Sequence, residues 1–216
     1  MKFLLVAVNA KYIHSNLAVY SLKAYAEKYS VSDNNIEIAE YTINQYADEI
    51  LRDIYERRPD AVGFSCYIWN IEMIKKIAAD YKKICPHVTI WVGGPEVSYN
   101  VQQVLEENSF FDCVMYGEGE EIFKNVIQAY KKEDEHYNVM GCCVKGDKHD
   151  NVMESCTKSD ISYNILEKIK GIGFKQEGKV VVTEPQPPIS LSSIPFVYEN
   201  MEHCLLYTSP SPRDST

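Results

Sequence analysis

From residue 1 to about residue 130, short apolar runs alternate with segments whose apolar residues recur at helical spacing. This alternation constrains the fold more than any other feature. A run that is apolar at every position makes a strand that must be covered on both faces, and connecting helices supply that cover. The strand-like runs are residues 3–8, 36–41, 61–65, 88–92 and 113–116. The first helix starts at Ser15 or Asn16 and runs to about residue 29, with Leu17, Tyr20 and Ala24 on one face. Residues 47–57 follow with Ile50, Leu51 and Ile54 inward. Asn70 is a suitable cap for a helix carrying Ile71, Ile74, Ala78 and Tyr81, which Pro86 stops. A short helix near 97–105 and a longer one over 120–131 complete the set. The predicted fold is α/β: a doubly wound, flavodoxin-like or Rossmann-like five-stranded parallel sheet in the order 2-1-3-4-5, with a small C-terminal β extension.

Beyond residue 130 the pattern weakens. Residues 131–136 read as a charged loop, and 139–145 and 178–183 as strands. Cys142 and Cys143 then sit side by side on one strand and point to opposite faces. Glu184-Pro185-Gln186-Pro187-Pro188 reads as an extended connector. The expected organisation is a ligand-binding domain over 1–130, a β extension and loops over 131–183, a proline-rich connector over 184–203, and a tail over 204–216. That tail departs abruptly in composition and reads as non-native, like a translated sequencing adapter, so it is set aside in the fold argument.

Charge and cysteine usage exclude several function classes. Twenty-two basic against 31 acidic residues leave a net charge of −9, a field that attracts neither nucleic acid nor anionic membranes. The 16 tyrosines are not interleaved with basic residues as in a base-stacking platform. No run approaches the ~20 apolar residues of a membrane helix. The apolar run 3–8 is too short for a signal peptide and is followed at once by Asn9-Ala10-Lys11. Seven cysteines, an odd number with no C-x2-C pair, read as reduced thiols of a cytoplasmic protein.

In such a sheet, ligands bind beyond the carboxyl ends of the strands. Four loops fall there: Asn9 to Ser15 with His14, Ser65 to Asn70 with Tyr67 and Trp69, Gly93-Gly94-Pro95-Glu96, and Gly117-Glu118-Gly119. Paired glycines let a ligand approach the backbone where a Cβ would collide. Ser65 offers a hydroxyl at a strand end, Tyr67 and Trp69 are large aromatics in a loop, and helix starts expose unpaired N–H groups. Together they suit a large, flat, partly apolar ligand with a polar tail. Each feature also has a plainer reading: Gly-Gly-Pro as a turn, Trp69 as packing, the glutamates as an acidic helix start. A phospho-receiver site fails, because Asn9 and Ser65 stand where it needs aspartates. Gly117-Glu118-Gly119 lacks the third glycine of a dinucleotide fingerprint.

These four loops, in this order and spacing, resemble the N-terminal cobalamin-binding domain of cobalamin-dependent radical S-adenosylmethionine (SAM) enzymes. The resemblance covers about residues 1–200 and includes the connector-like 178–183, 187–191 and 194–196. It implies cobalamin as cofactor, with Asn9, His14, Ser15, Ser65, Tyr67, Trp69, Asn70, Gly93, Gly94, Pro95, Glu96, Gly117, Glu118 and Gly119 as its contacts. The wider cobalamin fold carries D-x-H-x-x-G in the first loop; here Asn9, Lys11 and His14 occupy those three places. The aligned ligand histidine is absent, so a His-off mode is implied. Ser65 and the Gly93-Gly94 pair would then accommodate the nucleotide tail. The family's 4Fe–4S cluster and SAM belong to a further domain. No C-x3-C-x2-C occurs in this chain, so the expected partner is the chain's own missing radical domain, and no turnover is expected without it. The implied parent activity is methyl transfer to an unreactive carbon. A corrinoid shuttle and a non-catalytic α/β binding module remain the alternatives.

Overall fold

The computed structural model describes residues 1–11, 15–30, 35–140 and 163–197. Five parallel strands form the sheet's main body: β1 (Lys2–Asn9), β2 (Asn35–Thr42), β3 (Ala61–Ser65), β4 (Thr89–Gly93) and β5 (Cys113–Met115). Two antiparallel strands, β6 (Ile172–Gln176) and β7 (Lys179–Val182), extend it beyond β5. The full order is β2-β1-β3-β4-β5-β6-β7. The expected 2-1-3-4-5 core is therefore present, within a sheet that has seven strands among the described residues.

Helices α1 (Leu17–Tyr29), α2 (Ala47–Arg57), α3 (Ile71–Ile84), α4 (Pro95–Ser98), α5 (Val101–Glu107) and α6 (Gly119–Met140) connect the strands, and α7 (Tyr163–Leu166) precedes β6. Two apolar layers result. Leu4, Val6, Val8, Val62, Phe64, Ile90 and Val92 pack with Ile50, Ile54, Ile74, Ile77 and Tyr81 of α2 and α3. Phe3, Leu5, Ala7, Trp91 and Met115 pack with Val19 and Ala26 of α1 and with Ile122, Phe123, Val126 and Ile127 of α6. The alternation is the pleat of the strands, which sends neighbouring side chains to opposite faces. Each fully buried aliphatic side chain contributes about 1.5–3 kcal/mol before the entropy of ordering is subtracted.

Several expectations need correction. The charge run 131–136 lies inside α6, which continues to Met140, and so do residues 139 and 140 of the expected strand. Lysine and glutamate are good helix formers, so a charged run need not end a helix. Residues 141–145, with Cys142 and Cys143, lie outside the described residues, as does the tail. The single helix expected near 97–105 is two short ones, α4 and α5. Strand β7 matches the expected 178–183, whereas β6 was not anticipated. Its hairpin turns through Glu177 and Gly178, both at positive φ, the geometry that matches the twist of paired strands. Among the described residues no helix is long and apolar enough to cross a membrane.

Candidate functional site

Strand register assembles the site. On the α1/α6 face, Leu5, Gly63, Trp91 and Cys113 form one row across β1, β3, β4 and β5. Ala7, Ser65, Gly93 and Met115 form the next row toward the carboxyl ends. Gly63, Ser65 and Gly93 are small where their neighbours are large, so a trough opens in the middle of the sheet. The first turns of α1, with Ala18, Val19 and Leu22, roof it, and Gly119 and Glu120 of α6 close its side. The resulting cavity is about 510 Å³, within the ~300–1,000 Å³ typical of small-molecule sites. It opens at the carboxyl end past Tyr67, Gly94, Pro95, Ser98, Tyr99 and Gly117.

The two adjacent glycines have different tasks. At Gly94 φ is +112°, and an added Cβ would lie 2.5 Å from the Cys66 carbonyl oxygen. Gly94 is thus required by the close passage of the β3 and β4 loops. At Gly93 φ is ordinary, and a Cβ would meet only Met115, at 3.4 Å from its carbonyl oxygen. Its missing side chain leaves space in the trough. Gly63 on β3 differs, because neighbouring side chains already fill the place of its missing one. A Cβ there would meet the Phe3 ring at 2.9 Å and Leu5 at 3.2 Å. Gly63 was not among the expected site residues, although a glycine inside an apolar strand is the signal of a close approach.

A polar network fixes the rim. Asn16 caps α1 by accepting from the Ala18 N–H at 3.1 Å, and its Nδ2 donates to Ser65 Oγ at 3.0 Å. Glu40 on β2 accepts from Asn9 Nδ2 at 3.0 Å, from the Asn16 N–H at 3.0 Å and from the Tyr20 hydroxyl at 2.6 Å. Asn16 was expected only as a cap of α1, and Tyr20 and Glu40 escaped the motif-based reading, because their role is to hold other residues and appears only once the strands are aligned. Ser21 donates to Glu120 at 2.8 Å and Tyr25 to Glu121 at 3.0 Å, tying α1 to α6. Burial raises the Glu121 carboxyl, but the Lys124 ammonium and the Tyr25 hydroxyl outweigh it and hold its pKa below the usual value. Among the described residues no buried side-chain nitrogen or oxygen lacks a hydrogen-bond partner.

The expected contacts divide into groups. Ser65, Tyr67, Gly93, Gly94, Pro95, Gly117 and Gly119 line the cavity. Trp69 stacks on Tyr67 with ring centroids 4.5 Å apart and planes 6° apart, and it is 46% exposed beside Ile68. Asn70 does not line the cavity. It is 1% exposed and donates to the Val8 and Ser65 carbonyls, both at 2.9 Å, while accepting from the Tyr67 N–H at 2.8 Å. It sits at the cap position of α3 but shapes the preceding loop instead of capping through its side chain. Asn9 is likewise engaged with Glu40. Glu96 is exposed, Ser15 and Glu118 are half-buried, and none of the three lines the cavity. His14 lies outside the described residues.

Fold and cavity define an α/β domain with a cleft between sheet and helices at the strand ends. A family model of the B12 binding domain matches residues 4–127. The chain belongs to this family, and it is a cobalamin-binding domain related to those of cobalamin-dependent radical SAM methyltransferases.

Among curated relatives, the cobalamin-dependent radical SAM methyltransferase TokK of Streptomyces tokunonensis is 30% identical over 79 residues, 37% of this chain and 12% of that protein. The anaerobic magnesium-protoporphyrin IX monomethyl ester cyclase of Cereibacter sphaeroides is 26% identical over 97 residues, 45% of this chain and 15% of that protein. Among solved structures, the cobalamin-dependent radical enzyme OxsB superposes with a TM-score of 0.58 at 18% identity, over 90% of this chain and 23% of that one. TsrM of Kitasatospora setae, with cobalamin and a [4Fe-4S] cluster bound, gives 0.54 at 14% identity, over 90% of this chain and 31% of that one. At these identities the superpositions speak for the fold. The chain spans a small part of the length of each relative.

Proposed function

We propose that this chain carries cobalamin for a radical SAM enzyme whose reaction is methyl transfer to an unreactive carbon. The observation that carries the reading is the trough of Gly63, Ser65 and Gly93 beneath the start of α1. A Cβ at Gly93 would narrow the space that a nucleotide arm needs. The residues present fit the group. The trough walls are largely apolar, Ser65 supplies one hydroxyl, and Tyr67 and Tyr99 flank the mouth where a corrin ring would lie. Trp69, stacked on Tyr67 with its indole N–H donating to the Val8 carbonyl at 3.3 Å, stiffens that rim.

When bound, cobalamin supplies a cobalt centre able to take up and give away a methyl group. This chain's residues bind the arm, orient the ring and keep water from the trough. Lys11, standing at the place of the ligand histidine, supports the His-off mode, with His14 at a different offset as the alternative ligand. His87, before β4, is at the opposite end of that strand from the cavity. The iron–sulfur cluster and SAM are assigned to a separate radical domain, which is the chain's proposed partner. The greater lengths of the curated relatives support that division.

Reconstitution with hydroxocobalamin followed by gel filtration tests the reading. A corrin absorbance band should travel with the protein. After one-electron reduction, the cob(II)alamin EPR spectrum should lack splitting from an axial nitrogen. Colour eluting only with small molecules would refute cobalamin carriage, and nitrogen splitting that disappears in His14→Ala would refute the His-off mode.

A further inference from the structure

Helix α1 roofs the trough without a filled core beneath its first turns. Between Leu17 and Leu22 only Val19 is buried, and Ala18, Val19 and Leu22 face the cavity. Packing holds the far half of the helix, where Ala26 joins the apolar layer and Tyr25 donates to Glu121 of α6. At the near end a single carboxylate takes that part. Glu40 lies on β2 opposite Ala7 of β1, and so extends the row of Ala7, Ser65, Gly93 and Met115 by one strand. Its Oε1 accepts from the Asn16 N–H and from Asn9 Nδ2, both at 3.0 Å, and its Oε2 accepts from the Tyr20 hydroxyl at 2.6 Å. Asn16 and Tyr20 are about one helical turn apart, so Glu40 holds both the cap and the first turn of α1. Asn16 Nδ2 then reaches Ser65 Oγ. The start of the roof is tied to β2 directly, to β1 through Glu40 and Asn9, and to β3 through Asn16.

From this we infer that Glu40 is a positioning residue: it sets the clearance between α1 and the trough floor, and with it how firmly the trough grips the arm of a bound corrinoid. The inference rests on the cobalamin-carrier reading above. Without Glu40, the Asn16 N–H and the Tyr20 hydroxyl lose this acceptor, and ordering the roof becomes a cost of binding. Glu40 acts here as an acceptor and not as a charge. The Asn9 and Asn16 donors converge on one oxygen, which the side-chain carbonyl of a glutamine supplies equally. The glutamine amide nitrogen, at the other position, donates to the Tyr20 oxygen. Glu40→Gln therefore keeps the geometry that Glu40→Ala removes.

Absorbance titration of the full chain with cobalamin and with cobinamide, which has no nucleotide arm, tests this, and the Tm of each variant is measured alongside. Glu40→Ala should weaken cobalamin about tenfold, the scale of the lost hydrogen bonds, and cobinamide by less than about twofold. Glu40→Gln should stay within about threefold of the wild type for both. Should Glu40→Ala not fold, Tyr20→Phe, which removes only the bond to Oε2, should weaken cobalamin about threefold and leave cobinamide unchanged. The ratio of cobalamin to cobinamide affinity is the readout that a merely structural role would not move. An unchanged ratio in Glu40→Ala, or in Tyr20→Phe where that variant stands in, overturns the inference whatever happens to Tm. So does Glu40→Gln binding cobalamin as weakly as Glu40→Ala, which would make charge the active property. Wild type binding cobinamide as tightly as cobalamin takes the arm out of the trough and overturns the inference, but leaves cobalamin carriage intact. Failure of the wild type to bind either corrinoid removes the carrier reading itself, and the inference with it.

Discussion

The two faces of the sheet are made from the same strands and do different work. On the α2/α3 face, Val62 and Phe64 of β3 lie beside Ile90 and Val92 of β4, and all four are buried in a filled layer. On the other face, the intervening positions are Gly63 and Ser65 beside Trp91 and Gly93. One residue along each strand separates a packed core from a cavity. The site is therefore made by removing side chains at alternate positions of two central strands. It can be present or absent without changing the hydrogen-bond ladder.

The largest contrast should come from the filled face. Ile90→Ala leaves a hole in a layer that closes on all sides, and should cost about 2–5 kcal/mol. Corrinoid affinity of the remaining folded protein should be unchanged. Urea denaturation paired with absorbance titration measures both. If affinity falls as steeply as stability, the two faces are coupled and the division is wrong.

Gly94→Ala comes next and belongs with the filled face despite its place at the cavity mouth. Its φ of +112° and the 2.5 Å approach to the Cys66 carbonyl make any side chain strained. The loss should be roughly 3 kcal/mol, visible as a lower Tm without any ligand. A variant that melts like the wild type would show that the loop relaxes freely, and would return Gly94 to the role of leaving room for the nucleotide arm.

Gly93→Ala should invert that pattern. With ordinary φ and only Met115 near the new methyl group, stability should change by less than about 1 kcal/mol. The methyl group occupies space in the trough, so cobalamin affinity should drop about tenfold, with cobinamide affinity nearly unaffected. Loss of both affinities together would mean that the methyl group disturbs the corrin platform instead of the arm.

The sequence reveals these two faces unequally. The filled face declares itself through periodicity: the runs at 3–8, 61–65 and 88–92 and the stripe Ile71, Ile74, Ala78, Tyr81 each predict their element and their burial. Loop residues such as Tyr67, Gly93 and Gly119 were legible as cavity-lining because the strand-end rule says where to look. Gly63 was hidden because one glycine does not break an apolar run. Asn70 stands at the cap position that the sequence suggests, but its three bonds to the backbone of the β1 and β3 loops are seen only once the strands are aligned. Strand β6 was missed because the turn after it, Glu177-Gly178, is a weaker hairpin signal than Asn-Gly.

The smallest effect concerns how each face is covered. Helices α2 and α3 are joined to each other by an exposed pair, Lys76–Asp48, and α2 to β2 by Tyr41–Asp53 and Arg57–Glu37, whereas α1 and α6 are joined by the less exposed Ser21–Glu120 and Tyr25–Glu121. The Glu121 carboxyl is lowered in the fold from an ordinary value of 4.5, so its contribution is fully present above that value. It is lost as pH falls through the lower folded value, where protonation removes the charge that Lys124 and Tyr25 face. Wild type should exceed Glu121→Gln in stability by roughly 1 kcal/mol or less at pH 7, because the carboxylate is partly solvated. The gap should shrink below pH 4.5 and be insensitive to pH between about 6 and 8. Melting both proteins across that range reads it directly. A gap that widens toward acid would mean that the α1–α6 roof is held by the neutral carboxyl and not by its charge.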